Sequence, residues 1–236
     1  MVLGLTMLCK IADLLVDIPE AGGMSPRCRD YLVDQESEVD IRIHEERYEI
    51  EKWKNLSLQD SIYLESGMQF YRQLLNFNGL MLHSSALELD GVAYLFSGPC
   101  GVGKSTHTRL WQSTFGEKVK VFNDDKPALR RLDDGWYAYG TPWCGKDGIN
   151  INMKVPLGGI CFLKQAEENS IRRLDKKEAI SRIFSQTITK ISNVLIMEKM
   201  LKTVGELVEE IPVYELCNRP EPEAALISYN TMRNDA

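Results

Sequence analysis

Positive charge is in short supply. The 236-residue chain carries 28 Lys and Arg against 34 Asp and Glu, a formal net charge of −6, which argues against a broad nucleic-acid surface. The pairs Arg130-Arg131 and Arg172-Arg173 stand apart in the chain and read as solvated faces rather than a phosphate track. Long apolar runs are missing as well. Nothing approaches the roughly 18 apolar residues that a spanning helix needs. The apolar stretch Val155 to Leu163 contains Pro156, Gly158 and Gly159, the pattern of a buried strand. Met1 to Cys9 lacks a basic flank and is followed by Lys10 and Asp13, so no signal peptide is expected. The six cysteines, at 9, 28, 100, 144, 161 and 217, form no C-x-x-C pair and no zinc spacing. Scattered thiols of this kind point to a reducing compartment, and the cytoplasm is the expected location. Neither a membrane nor a nucleic acid is expected as partner. No internal repeat, low-complexity tract or long linker interrupts the chain. At 44% hydrophobic and 26% charged residues, its composition is that of a globular protein able to bury a substantial core.

What is present is concentrated at one place. Gly98-Pro99-Cys100-Gly101-Val102-Gly103-Lys104-Ser105 fits the spacing G-x-x-x-x-G-K-[ST]. It lies between an apolar run, Val92 to Phe96, and a helix-like segment through Thr106 and Trp111. This is the strand–loop–helix context of a phosphate-binding loop. Glycines let the backbone wrap an anion with successive N–H groups pointing inward, and the helix N-terminus adds partial positive charge. Gly98, Cys100, Gly101, Val102, Gly103 and Thr106 are therefore expected to line a nucleoside triphosphate. Lys104 would reach its β- and γ-phosphates, and the Ser105 hydroxyl would ligate Mg²⁺.

Around the loop the pattern predicts strands. Met81–Leu89 and Val92–Phe96 flank Asp90-Gly91, a two-residue hairpin signal whose register sets His83 opposite Gly98. A strand over Val119–Phe122 ends in Asn123-Asp124-Asp125. A second hairpin, Ala128–Leu132 with Trp136–Tyr139, is centred on Asp134-Gly135; its extension brings Trp143 to Lys146 back toward Asp124 and Asp125. Helices are predicted over Leu58–Phe77 (with a stop at Asn78-Gly79), Lys176–Lys190, Val194–Ile211 and from Pro222. Short strands are predicted over Val39–Ile43, Tyr48–Ile50 and Val213–Leu216. In the Leu58–Phe77 helix the apolar stripe comprises Ile62, Leu64, Met68, Tyr71, Leu74 and Leu75.

Neighbouring strand residues point to opposite sides, so Asp124 and Asp125 are expected to divide two tasks. One would reach the metal and the other would accept the proton of an attacking hydroxyl; the alternative is a turn or helix-capping pair. His83 reads either as a strand histidine satisfied by a hydrogen bond or as a contact to phosphate or carboxylate. His107 is expected to pack and His44 to lie at the surface. Lys146, in the Gly140–Lys146 stretch, either adds a second cation near the phosphates or belongs to an ordinary loop.

His83, the loop at 98–105 and N-D-D at 123–125 resemble the catalytic domain of bacterial HPr kinase/phosphorylase and the nucleotide core of phosphoenolpyruvate carboxykinase. The stretches L-H-S-S-A, G-K-S-T-H-T, N-D-D-K-P-A-L and Y-G-T-P-W-C-G-K resemble the small HPr-kinase-like proteins of peptide-tailoring gene clusters. The likeness spans about residues 80 to 217. It implies a phosphoenolpyruvate carboxykinase-like P-loop α/β fold, with a mixed, partly antiparallel sheet flanked by helices. Residues 79–236 would form the nucleotide-binding catalytic domain, and residues 1–78 a strand-and-helix segment that recognises the acceptor or packs as an extra layer. The implied activity is ATP- and Mg²⁺-dependent transfer of the γ-phosphoryl group to a serine-like hydroxyl of a peptide, small protein or metabolite. The resemblance makes Asp124 the general base, gives Asp125 with Ser105 to Mg²⁺, and has His83 support the aspartate or the transferring group; the two aspartates can exchange roles. It also implies a homo-oligomer. No glutamate stands between Gly140 and Met153, where the HPr kinase signature has one, which counts against the reverse reaction. The rival readings are a catalytically silent nucleotide-binding module and a nucleotide hydrolase.

Overall fold

The computed structural model describes residues 5–34, 38–187 and 193–234. Strands β1 (Thr6–Ile11) and β2 (Leu14–Pro19) form a hairpin that was not anticipated. Its turn, Ala12-Asp13, has φ of 53° and 60°, the left-handed pair that suits a two-residue hairpin, but without the glycine that advertises one. A two-residue strand, β3 (Ile41–Arg42), adds to β2 in parallel. The strand predicted over Tyr48–Ile50 is absent. The chain there closes on itself, Arg47 N–H donating to His44 O and Tyr48 N–H to Glu45 O, in short 3₁₀ turns. Between β2 and β3 lies the short helix α1 (Met24–Cys28).

Helix α2 (Leu58–Leu74) starts at Ser57, whose side chain accepts from Asp60 N–H, satisfying one of the orphan donors of the first turn. It tightens into a 3₁₀ turn at Leu75–Phe77 and stops at Asn78, with φ 54°, a left-handed terminus that asparagine tolerates. The buried face is rotated from the predicted stripe. Ile62, Glu65, Ser66, Gly67, Phe70, Tyr71 and Leu74 are buried, while Leu64 and Met68 are half-buried at the margin. The reason is Trp143, which stacks on Phe70 at 4.7 Å and comes so near Gly67 that a Cβ there would lie 2.9 Å from its ring.

The main sheet runs β4-β8-β9-β10-β6-β5-β7, with β12 pairing β10 and β11. Its strands are β4 (Gly79–Met81), β5 (Ser84–Leu89), β6 (Val92–Ser97), β7 (Lys120–Asp125), β8 (Ala128–Leu132), β9 (Gly135–Tyr139), β10 (Lys154–Gln165), β11 (Ser170–Arg173) and β12 (Val213–Asn218). The sheet is mixed. β10 is parallel to β6 and β12 but antiparallel to β9. Helices α3 (Lys104–Phe115), α4 (Lys176–Ser185), α5 (Val194–Glu210) and α6 (Pro222–Met232) complete it. Residues 188–190 of the predicted fourth-helix span lie outside the described residues, and β11 was not predicted.

Alternation along the central strands explains their unbroken apolarity. Leu95, Ile160 and Phe162 join a core with Ile183, Met200, Val204 and Leu207 of α4 and α5. Tyr94, Phe96, Cys161 and Leu163 turn to the other face, against Trp111 of α3 and Ala225 and Met232 of α6. Both faces are buried, so period-two polarity has no place. A third core joins β1, β2 and α2 to Met81, Ala128 and Tyr139 of the sheet and to Trp143 in the loop after β9.

Two register expectations fare differently. The Asp90-Gly91 hairpin has the predicted pairing, with Leu89 facing Val92 and Ser84 facing Ser97. The second hairpin is displaced by two residues. Leu132 faces Gly135, and Asp133-Asp134 make the turn. Gly135 uses its positive φ of 139° as the first residue of β9, not as a turn residue. The predicted 81–89 strand is split at Leu82-His83, because His83 N–H leaves the ladder to donate to Gln186 O at 2.8 Å. β4 then pairs with β8, and β5 with β6 and β7.

Gly140, just past β9, donates its N–H to Met153 O, and a Cβ on it would fall 1.8 Å from Ile151 O. Gly140→Ala must therefore push two backbone segments apart, and is expected to destabilise the fold by about 3 kcal/mol or more. Gly205→Ala, in open space within α5, is the control and should stabilise by about 0.5–1 kcal/mol. Urea denaturation of both variants measures the difference.

Candidate functional site

The loop from Gly98 to Gly103 joins the end of β6 to the start of α3. Gly98, Gly101 and Gly103 have φ of 143°, 80° and 108°. At Gly101 and Gly103 nothing lies within 4 Å of an added Cβ, so backbone angle, not crowding, requires glycine there. Lys104 opens α3 and folds back, its Nζ donating to Gly98 O at 3.0 Å and Pro99 O at 3.3 Å. Burial lowers the pKa of its ammonium, against the opposing pull of Cys100, Asp125 and Asp124. Cys100 and Thr106 are exposed at the loop and first turn, and Val102 is half-buried.

β7 continues through both aspartates instead of ending at Phe122, and pairs Ser85 with Asp124 and Ser84 with Asp125. The two carboxylates diverge as strand geometry demands. Asp124 Oδ2 accepts from Ser105 Oγ at 2.9 Å. Asp125 faces away from that pair: Oδ1 lies 3.3 Å from His83 Nε2, and Oδ2 accepts from Tyr63 OH at 3.2 Å and from Lys126 Nζ. The Ser105 hydroxyl is thus set against Asp124 and not against Asp125. Asp125 also has φ 141°, a region that non-glycine residues enter at a cost of about 1–3 kcal/mol and that clusters at functional sites.

His83 is half-buried. Its Nδ1 lies 3.2 Å from Gln186 Oε1, and its carbonyl accepts from Ser97 Oγ. Burial, then the Lys104 charge, lower its pKa, while Asp125 and Gln186 raise it. Asn123, the first letter of N-D-D, shapes the turn. Its Oδ1 accepts from Lys126 N–H, and its Nδ2 donates to Thr141 O at 3.0 Å. The expected return of 143–146 to the aspartates is present. Cys144 bridges Asp125, and Gly145 N–H donates to Asp124 O at 2.5 Å. A Cβ at Gly145 would lie 2.8 Å from that oxygen. Lys146 itself is exposed, and among the described residues no hydrogen bond or ion pair joins it to the glycine loop.

His107 packs, as expected. It is fully buried on α3, 4.4 Å from the Phe96 ring, with Nε2 accepting from Trp111 Nε1 and lying 3.2 Å from Ser228 Oγ of α6. His44 lies near the surface beside Glu46. Three neighbours of Asp125 and His83 have no place in the sequence reading, Lys126, Tyr63 and Gln186, and neither has Arg27, which lies over the Tyr63 ring. Lys126 had a signal, its place directly after N-D-D. Tyr63 and Arg27, some 60 and 100 residues upstream, had none.

The described residues contain no group of three or more His, Cys, Asp and Glu able to hold a metal, and no helix among them is long and apolar enough to cross a membrane. Ser105 and Asp124 are hard oxygen donors, the kind of ligand Mg²⁺ accepts alongside phosphate and water. The fold and the site define a mixed α/β protein with a glycine loop at a helix N-terminus, facing two carboxylates held apart. The chain belongs to the SynChlorMet cassette protein ScmC family, whose model matches residues 49–219. No curated protein matches it. Among solved structures it is similar to the Hpr(Ser) kinase/phosphatase from Coxiella burnetii, at 12% identity over 65% of this chain and 88% of that one, with a TM-score of 0.38. A likeness that distant carries no residue roles across.

Proposed function

We propose that the chain is a kinase that uses ATP and Mg²⁺ to phosphorylate a serine-like hydroxyl on a peptide, small protein or metabolite. The observation that carries this reading is the division of the two aspartates. Asp124 pairs with the loop's Ser105 hydroxyl, and Asp125 faces His83. The glycine loop and the α3 N-terminus would receive the phosphates, with Lys104 leaving its carbonyl partners for the β- and γ-oxygens. Ser105 and Asp124 would hold the Mg²⁺. When bound, the ion neutralises charge on the transferring group. This exchanges the roles that the family resemblance gives Asp124 and Asp125.

Asp125 would take the acceptor's proton on Oδ1 as the acceptor oxygen bonds to the γ-phosphorus and the bond to the ADP oxygen breaks. His83, at 3.3 Å from that oxygen, orients it and steadies its charge. Positioning and electrostatics carry such a reaction, and the protein does little covalent work.

Calorimetric titration with ATP tests the binding half. Wild-type affinity should rise when Mg²⁺ is added. Lys104→Ala should lose tenfold or more in affinity, about 1.4 kcal/mol. Asp124→Asn should lose the Mg²⁺ dependence, and Asp125→Asn should keep it. Equal affinity for wild type and Lys104→Ala would remove the nucleotide from this loop.

A further inference from the structure

Helix α2 belongs to the stretch of sequence that carries no chemical signature, yet one of its side chains reaches the carboxylate at the centre of the site. The Tyr63 hydroxyl lies 3.2 Å from Asp125 Oδ2 and 2.9 Å from Cys144 O, and it accepts from Lys126 Nζ at 3.1 Å. Its ring lies under two cations, with the Arg27 guanidinium 4.7 Å and Lys126 Nζ 4.8 Å from the centroid. Arg27 is anchored in turn, Nη1 donating to Cys144 O and lying 3.1 Å from Cys144 Sγ, while Asn150 Nδ2 donates to its carbonyl. A cation over a tyrosine face is attracted by the ring quadrupole, so the ring has little freedom to swing away.

From this geometry we infer that Tyr63 is a positioning residue for Asp125. Its hydroxyl and Lys126 fix Oδ2, which sets the carboxylate plane and leaves Oδ1 as the oxygen turned toward His83. The N-terminal stretch is then a working part of the site, beyond the recognition or packing expected of it. The catalytic consequence rests on the kinase reading above; the hold of Tyr63 on Asp125 does not.

Tyr63→Phe keeps the ring and its cation contacts and removes one hydroxyl. If the inference holds, kcat falls roughly tenfold, as for the loss of one hydrogen bond to a charged group, while the KM for ATP stays put. A double-mutant cycle with Asp125→Ala reads the contact without any activity. Tyr63→Phe should raise the unfolding constant about fivefold less when Asp125 is already alanine. The one hydroxyl proton is shared between Asp125 Oδ2 and Cys144 O and passes wholly to Cys144 O in Asp125→Ala, so the cycle reads the hold on Oδ2 net of that gain. Additive effects on stability would overturn the inference whatever the activity. So would coupling accompanied by an unchanged kcat. Coupling in a protein whose wild type transfers nothing would uphold the hold of Tyr63 on Asp125 and bring down the kinase reading instead.

Discussion

Asparagine in place of Asp125 is expected to lower phosphoryl transfer by roughly two to four orders of magnitude, the usual contribution of a positioned general base, without changing the affinity for ATP. The side chain keeps its shape and its place beside His83 and Tyr63, but the amide cannot take a proton from the acceptor. Steady-state rates, with ATP binding measured in parallel, check this. The same residue makes a second, independent prediction. Its φ of 141° belongs to glycine, so Asp125→Gly should be more stable than Asp125→Ala by about 1–3 kcal/mol, reversing the usual order. Both variants remove the carboxylate, and their difference in urea midpoint isolates the backbone. Equal stabilities would mean that Asp125 sits without strain.

The largest effect on stability is expected from His107. Burial lowers its pKa from 6.5 to about 3, and the lone pair of Nε2 is already held by the Trp111 N–H. The folded protein therefore keeps this imidazole neutral where the unfolded chain protonates it. The sign follows from linkage. Above pH 6.5 neither state gains a proton and the full stability is present. As pH falls from 6.5 toward 3 the unfolded state alone binds one, and stability drops by about 1.4 kcal/mol per pH unit. Across that window the loss from this group approaches about 5 kcal/mol. His107→Gln should show a correspondingly shallower acid limb when unfolding free energies are measured at a series of pH values. Identical slopes would mean that the folded state accommodates the imidazolium. Because His107 links α3 to β6 and α6, acid should loosen the helix that carries Lys104 and Ser105.

The parts of the site that were legible in the sequence are those where the backbone demands a particular residue or neighbours are fixed by a tight turn. Gly98, Gly101 and Gly103 occupy positive φ, so the loop announces itself. Asp90-Gly91 fixes one register, and with it the approach of His83 to the loop. That Asp124 and Asp125 face opposite ways follows from strand alternation alone, but which way each one faces does not. Choosing which faces Ser105 needs the β5–β7 pairing, with its irregularity between Ala86 and Leu87. Asp134-Gly135 misled because glycine after two aspartates serves a turn or a strand start equally well. The break at Leu82-His83 was hidden because the apolar run continues across it, and its cause, the Gln186 carbonyl, lies a hundred residues away. Tyr63 was hidden for the same reason. Nothing local distinguishes a tyrosine that packs from one that reaches across 62 positions to a carboxylate.

Phosphorus NMR of ATP and Mg²⁺, mixed with a low-molecular-weight extract of the source cells, tests the central claim most directly. The extract is compared with wild type, Lys104→Ala and Asp125→Asn. Transfer to a hydroxyl predicts a new phosphomonoester resonance growing with ADP in the wild-type sample and missing from both variants. ATP that stays intact, although the wild type demonstrably binds it, would contradict the kinase and leave a nucleotide-binding module in its place.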